Sequence, residues 1–230
     1  LRSFVSVQGS LVMYAIHEFG SEEQKERWLP RMAQGELIGC FGLTEPDFGS
    51  NPAGLQTRAR REGGEYVLSG NKMWITNGSV ADIAVVWARE NDRIQGFVVE
   101  KGVPGFSATL QKGKWSLRAS VTSELHFQEC RIPAAWRLPG AQGLKTALSC
   151  LNQARAGIAW GALGAAMACY SEALSYARTR IQFGKPIASF QLVQAKLVEM
   201  LSGITRGQLL AYRLAKLKDQ GKARPEMVSL

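Results

Sequence analysis

Two histidines, His17 and His126, are all that this chain of 230 residues contains. So small a supply argues against a histidine-rich metal centre and against a serine-type triad. The four cysteines, Cys40, Cys130, Cys150 and Cys169, form no C-x-x-C pair. Most lie among apolar neighbours, which predicts buried free thiols in a reducing compartment. No run of about 18 apolar residues exists, so no helix is expected to span a membrane. No basic-then-apolar targeting segment opens the chain, which starts Leu1-Arg2-Ser3-Phe4 without methionine and reads as processed or as a fragment. No polybasic run with interleaved aromatics is present, which argues against a nucleic-acid surface. No G-x-G-x-x-G follows an apolar strand, which argues against a Rossmann sheet.

What is present is an ordinary globular composition, 46% apolar, with a net charge of +9. The basic residues are scattered, several at helical spacing, as in Arg213, Lys216 and Lys218. They read as a solvated helix face, or as the surroundings of a polyanionic small molecule such as a dinucleotide or coenzyme A.

The pattern runs helix, strands, helix. Val5, Val7, Leu11, Val12 and Ile16 recur at helical spacing until Gly20. Ser21-Glu22-Glu23-Gln24 offers a capping hydroxyl and acids at the positive helix end, and predicts a short helix to about Gly35. Residues 37–138 change character. Glu65 to Ile75 reads as a hairpin around Ser69-Gly70-Asn71. Ala84–Ala88 and Ile94–Val99 bracket an Asn91-Asp92 turn, and Ser123–Phe127 alternates polar and apolar. Short strands without intervening helices predict an antiparallel barrel or sandwich. Residues 143–220 return to helix, with a break at Phe183-Gly184-Lys185-Pro186 and stop signals at Lys216, Lys218 and Gly221. Pro225 and Glu226 begin another helix barely one turn before Leu230, so the chain reads as cut.

Two stretches carry chemistry. Cys40-Phe41-Gly42-Leu43-Thr44-Glu45-Pro46 runs into Asp47-Phe48-Gly49-Ser50-Asn51, and Trp74-Ile75-Thr76-Asn77 answers it. Each is an apolar strand that stops in small hydroxyl and glycine residues, as a backbone must if it lies flat against a planar ligand. The competing reading is a pair of β-turn corners around a buried tryptophan.

With Arg180-Ile181-Gln182-Phe183-Gly184-Lys185-Pro186, these stretches resemble the acyl-CoA dehydrogenase family along essentially the whole chain. Arg2-Ser3, Ser116-Leu117-Arg118-Ala119-Ser120 and Leu151-Asn152-Gln153-Ala154-Arg155 followed by Gly157-Ile158-Ala159-Trp160 resemble its glutaryl branch. The resemblance implies an α+β fold with a central antiparallel β-barrel between two α-helical domains. It divides the chain into the end of an N-terminal helical domain over 1–36, a barrel domain over 37–138, and the first helices of a C-terminal bundle over 139–230.

The resemblance also implies FAD, held by Phe41, Leu43, Thr44, Gly49, Ser50, Trp74, Ile75 and Thr76. Arg180 and Gln191 would reach the FAD of a neighbouring subunit, in a homo-oligomer expected to be a tetramer. Ser50, Leu148, Leu151, Asn152 and Arg155 match thioester-CoA contacts, and Arg2 with Ser3 matches the anchor of a distal carboxylate. Arg155, on an otherwise apolar helix face, is expected to need an anionic partner. The implied reaction is α,β-dehydrogenation of an acyl-CoA, oxidative decarboxylation of glutaryl-CoA to crotonyl-CoA and carbon dioxide, with an electron-transfer flavoprotein as acceptor. No catalytic base is assigned in this chain: most of the family carry a glutamate in a Tyr-Glu-Gly stretch expected beyond Leu230, some carry it on the helix where Ala154 stands here, and Glu45 does not match it. No metal, nucleic acid or membrane partner is implied. The location implied is the cytoplasm in a bacterium or the mitochondrial matrix in a eukaryote. A different short-chain or dicarboxylyl thioester, or a non-catalytic acyl-CoA or flavin binding fragment, are the alternatives.

Overall fold

The computed structural model describes residues 2–229 in two compact units, Leu1–Ala154 and Arg155–Leu230. The first unit opens with helix α1 (Arg2–Ser6), a widened π-helical turn (Val7–Met13) and helix α2 (Tyr14–Phe19). Gly20 ends this run in an extended conformation. Helix α3 (Glu22–Ala33) follows, capped by Ser21 as read from the sequence, with Gln24 completing a capping box. The Gln24 backbone N–H donates to Ser21 Oγ at 3.3 Å, and the Ser21 N–H donates to Gln24 Oε1 at 3.0 Å.

The π turn is where the spacing predicts plain α-helix. It contains Gln8, whose side chain is only 9% exposed. Its amide nitrogen donates to Met32 O at 3.1 Å and Leu37 O at 2.7 Å, and its oxygen accepts from Gly39 N at 2.7 Å. One side chain thus joins the first helical run, α3 and the first strand. Gln8→Leu keeps the volume but takes this partner from Leu37 O and Gly39 N, while Met32 O keeps its bond from Gly35 N at 3.2 Å. It is expected to destabilise the fold by about 2–4 kcal/mol, read as a lower denaturant midpoint; an unchanged midpoint would show that water replaces the amide.

The strands are β1 (Gly39–Gly42), β2 (Arg58–Glu62), β3 (Glu65–Thr76), β4 (Ile83–Glu90), β5 (Arg93–Glu100), β6 (Phe106–Leu110), β7 (Thr122–Pro133) and β8 (Arg137–Gln142). Among the described residues they form one sheet in the order β6-β7-β3-β2-β4-β5-β8, with β1 pairing β4. The sheet is mixed, not wholly antiparallel: β1 runs parallel to β4 over four pairs, and β2 meets β4 in parallel at Arg58 and Arg89. The pairing path runs open from β6 to β8.

The expected hairpin at Ser69-Gly70-Asn71 is instead the middle of β3, which runs unbroken from Glu65 to Thr76 against β7. Gly70, at φ +143°, marks a register shift, and a Cβ there would lie 2.7 Å from Thr57 Cα. The glycine serves a close approach of two strands, not a turn. The β4–β5 hairpin has Asn91 at φ +53° in its turn, where the sequence placed it.

Strand β4 shows where the core sits. Ile83, Val85 and Trp87 join one apolar cluster with Val12, Ile16 and Trp28. Ala84, Val86 and Ala88 join a second with Tyr66, Phe97 and Leu125. Successive side chains point to opposite faces, so a strand covered on both sides reads as one apolar run.

Helix α4 (Leu144–Thr179) begins in the first unit and ends in the second. The second unit holds the β9 (Ile181–Gln182) and β10 (Lys185–Pro186) ribbon, then helices α5 (Gln191–Asp219) and α6 (Pro225–Ser229). Phe183 and Gly184, at φ +54° and +73°, make the ribbon's turn, and Gly221 at φ +66° ends α5. In this unit Gly207 admits Leu163: a Cβ at 207 would lie 2.6 Å from Leu163 Cδ2.

Candidate flavin and acyl-thioester site

The two hydroxyl-ended strands meet in the first unit. Met73 N donates to Thr44 O at 2.9 Å, which lays the residue before Trp74 beside the end of β1. Phe41 and Leu43 are buried, while Thr44 is half-buried and Gly49 and Ser50 are exposed. Asn77, at φ +68°, turns the chain out of β3; its side-chain amide donates to Gly39 O at 3.3 Å and its backbone N–H to Val121 O at 3.0 Å. Of the residues expected to hold a flavin, Phe41, Leu43, Thr44, Trp74, Ile75 and Thr76 are therefore brought into one neighbourhood.

Trp74 bears on the choice between ligand platform and structural corner. It sits at a register shift between Lys72 and Ile75, at φ +62°, and its side chain is 58% exposed. A tryptophan that merely filled a corner would be buried. A bulky side chain at positive φ costs about 1–3 kcal/mol and persists where a site uses it. An exposed ring, a half-buried threonine hydroxyl and open backbone fit a planar ligand with one polar edge.

The crossing is fastened by a buried ion pair absent from the sequence reading. Lys72 Nζ, 0% exposed, donates to Glu45 Oε1 at 2.8 Å and to Leu43 O at 3.1 Å. Gly42 lets it pass: a Cβ there would stand 3.3 Å from Lys72 Cγ. Glu45, 5% exposed, also accepts from Gln56 N at 2.6 Å and Thr57 N at 2.9 Å. Burial opposes its ionisation, yet the Lys72 ammonium and these donors hold its carboxyl below the usual carboxylate range. For Lys72 burial outweighs Glu45 and brings the ammonium down to about 8. A carboxylate so occupied is no free proton acceptor.

The Arg2–Ser3 end adjoins this platform. Ser3 Oγ lies 2.9 Å from Ser120 Oγ. The segment carrying Ser120 continues to Val121, which accepts from Asn77, and to Thr122, paired with Thr76. The sequence singled out Ser3 and Ser116–Ser120 separately; the fold joins them. Arg2 itself is exposed on α1.

Leu148, Leu151, Asn152 and Arg155 recur along one face of α4. Arg155 is exposed on this face. Arg180 and Gln191 are both exposed in the second unit, Arg180 at the end of α4 and Gln191 at the start of α5. The backbone joins their surroundings, with Ile187 N donating to Arg180 O at 2.9 Å. Cys40, Cys130 and Cys150 are buried free thiols as expected, but Cys169 is exposed. Burial pushes the Cys40 thiol up to about 12, which leaves it unreactive. Among the described residues no helix is long and apolar enough to cross a membrane, and no cluster of metal-binding side chains occurs.

Family models agree along the chain: the acyl-CoA dehydrogenase N-terminal domain matches residues 1–36, the middle domain 40–130 and the C-terminal domain 141–230. A glutaryl-CoA dehydrogenase from Mycobacterium smegmatis is similar in structure with a TM-score of 0.97 at 60% identity, over 99% of this chain and 59% of that one. A structure of a glutaryl-CoA dehydrogenase from the same organism in complex with FADH2 is 56% identical with a TM-score of 0.97, over 99% and 59% of the two chains. The mitochondrial short-chain specific acyl-CoA dehydrogenase of Rattus norvegicus is 41% identical over 225 residues, 95% of this chain and 54% of that protein. The chain thus spans little more than half the length of the relatives it matches.

Proposed function

Because the chain belongs to the acyl-CoA dehydrogenase family, we propose that it forms the flavin platform and acyl pocket of an FAD-dependent enzyme that oxidises glutaryl-CoA to crotonyl-CoA and carbon dioxide. The observation that carries this reading is Trp74, exposed and at positive φ beside Thr44. Bound FAD supplies the acceptor for the hydride leaving the substrate's β-carbon. Thr44 and Thr76 present hydroxyls to its polar edge, and Phe41, Leu43 and Ile75 give it a dry, flat floor. Arg180 and Gln191 belong to the same proposal as contacts to a neighbouring subunit's FAD in a tetramer, where an arginine fork suits phosphate oxygens. Tetramer assembly would also cover apolar side chains such as Leu209 and Leu192, which stand exposed on α5. Closure of the open sheet into a barrel, and an electron-transfer flavoprotein as acceptor, complete the reading.

On the substrate side, Arg2 and Ser3 hold the γ-carboxylate, and the α4 face from Leu148 to Arg155, with Ser50, guides the thioester. The α-proton goes to a carboxylate outside the residues named here, since Glu45 is engaged by Lys72, Gln56 and Thr57. Loss of the γ-carboxylate as carbon dioxide is balanced by a proton returned to the γ-carbon. The complete enzyme of which this platform forms part is expected to be yellow and to bleach anaerobically with glutaryl-CoA. A colourless protein that takes up no added FAD would defeat the reading, and equal bleaching by butyryl-CoA would remove the role given to Arg2.

Trp74 separates strain from function. Trp74→Gly relieves the positive-φ cost, so the flavin-free protein is expected to gain about 1 kcal/mol. The same change removes the ring and is expected to weaken FAD binding at least tenfold, read by flavin fluorescence titration. Unchanged FAD affinity would return Trp74 to a structural role.

A further inference from the structure

We infer that Lys114 is a specificity-positioning residue, which sets Ser120 against Ser3 and thereby favours acyl chains that end in a carboxylate. This rests on the reading of Arg2 and Ser3 as the carboxylate anchor. The 111–122 segment leaves β6 and returns into β7, where Gln111 N donates to Thr122 O at 2.9 Å. Between those ends the ammonium of Lys114 binds three oxygens of its own loop. It donates to Leu117 O at 3.1 Å, to Thr122 Oγ1 at 2.7 Å and to Ser120 O. Leu117 is held at φ +50°, a conformation that a branched apolar residue adopts only when its surroundings enforce it. Ser120 N closes the turn on Leu117 O at 2.9 Å.

The consequence falls on Ser3. Ser120 is the residue whose carbonyl Lys114 grips and whose hydroxyl meets Ser3 at 2.9 Å. For this role the Ser120 hydroxyl must donate and Ser3 accept in their 2.9 Å contact, which leaves the single Ser3 O–H for a carboxylate beside Arg2. Among the described residues no carboxylate forms an ion pair with Lys114, whose partners are all neutral oxygens. Its three N–H donors are all taken by the loop, and its positive charge is not cancelled there, so it adds a favourable potential for an anion held by the neighbouring Ser3 and Arg2. A site built this way gains on a tail that ends in a carboxylate and gains little on a plain alkyl one.

The test compares kcat/KM for glutaryl-CoA and butyryl-CoA in the purified holoenzyme. Lys114→Met is expected to lower the glutaryl-to-butyryl ratio about tenfold, mostly through KM for glutaryl-CoA. Ser120→Ala, which removes the hydroxyl and leaves the ammonium, is expected to lower it about threefold. A loop that mattered only for folding would depress both substrates alike, so an unchanged ratio overturns the proposal. If Lys114→Met does not fold, the ratio in Ser120→Ala decides alone. Arg2→Ala run in parallel keeps the two readings apart. A ratio that collapses in Arg2→Ala but holds in both loop variants rejects Lys114 and leaves the anchor intact. A ratio unmoved by Arg2→Ala rejects the anchor itself.

Discussion

Arg2→Ala is expected to lower kcat/KM for glutaryl-CoA by about 10²–10³-fold and to erase most of its preference over butyryl-CoA. Arg2 stands at the start of α1, next to a serine that touches the Ser120 loop and, through it, the flavin platform. An arginine fork binds a carboxylate through two parallel charge-assisted bonds. Truncating one partner of such a pair costs about 3–4 kcal/mol, and each 1.4 kcal/mol is tenfold. A four-carbon thioester without the distal carboxylate has nothing to lose at that position. Steady-state kinetics with the two thioesters read the difference directly, and a similar fold-loss for both would place Arg2 in the fold instead of the pocket.

Lys72→Met should be the most damaging single change to stability at the platform, at about 3–5 kcal/mol. The substitution leaves Glu45 charged and buried with Leu43 O unpaired. For a chain of this size that is a fall in melting temperature on the order of 10 °C. The double variant Lys72→Met, Glu45→Gln is expected to recover part of the loss, because two neutral groups replace one stranded charge. A double variant no better than the single one would mean that the ammonium's bond to Leu43 O carries the effect.

The same pair sets a pH dependence. The Glu45 carboxyl is held below its ordinary 4.5 in the folded state. The unfolded chain therefore takes up a proton first, and this contribution, complete above that ordinary value, is lost as pH falls through the folded one. The stability gap between wild type and Glu45→Gln should accordingly shrink in acid. Lys72 acts in the opposite range: its folded value near 8 lies below the ordinary 10.5, so between those values the unfolded chain holds more protons. Its unfavourable burial is relieved as pH rises through that window.

Several elements were legible in residue order because their causes are local. The Ser21 cap, the Asn91 turn and the Gly221 stop each need only neighbours within a few positions. The helix–strand–helix succession followed from periodicity for the same reason. Ser69-Gly70-Asn71 misled because turn chemistry and a strand bulge call for the same residue, a glycine free of Cβ sterics. What distinguishes them is Thr57, just before β2, packed against Gly70. The parallel pairing of β1 with β4 was equally out of reach, since a strand carries no local mark of the direction of its partner.

The site divides along the same line. Residue order alone determined which side chains are supplied: the apolar strand endings at Thr44 and Thr76, the tryptophan two positions before Thr76, the arginine and serine at positions 2 and 3, and only two histidines. Only the tertiary structure decided that Trp74 is exposed and strained, that Lys72 is the buried counter-charge of Glu45, and that Ser3 meets Ser120 across 117 positions of chain. The reason is physical. A lysine between a polar turn and an aromatic looks solvated until a carboxylate 27 residues away is brought to it, and strain and burial exist only once distant segments are packed together.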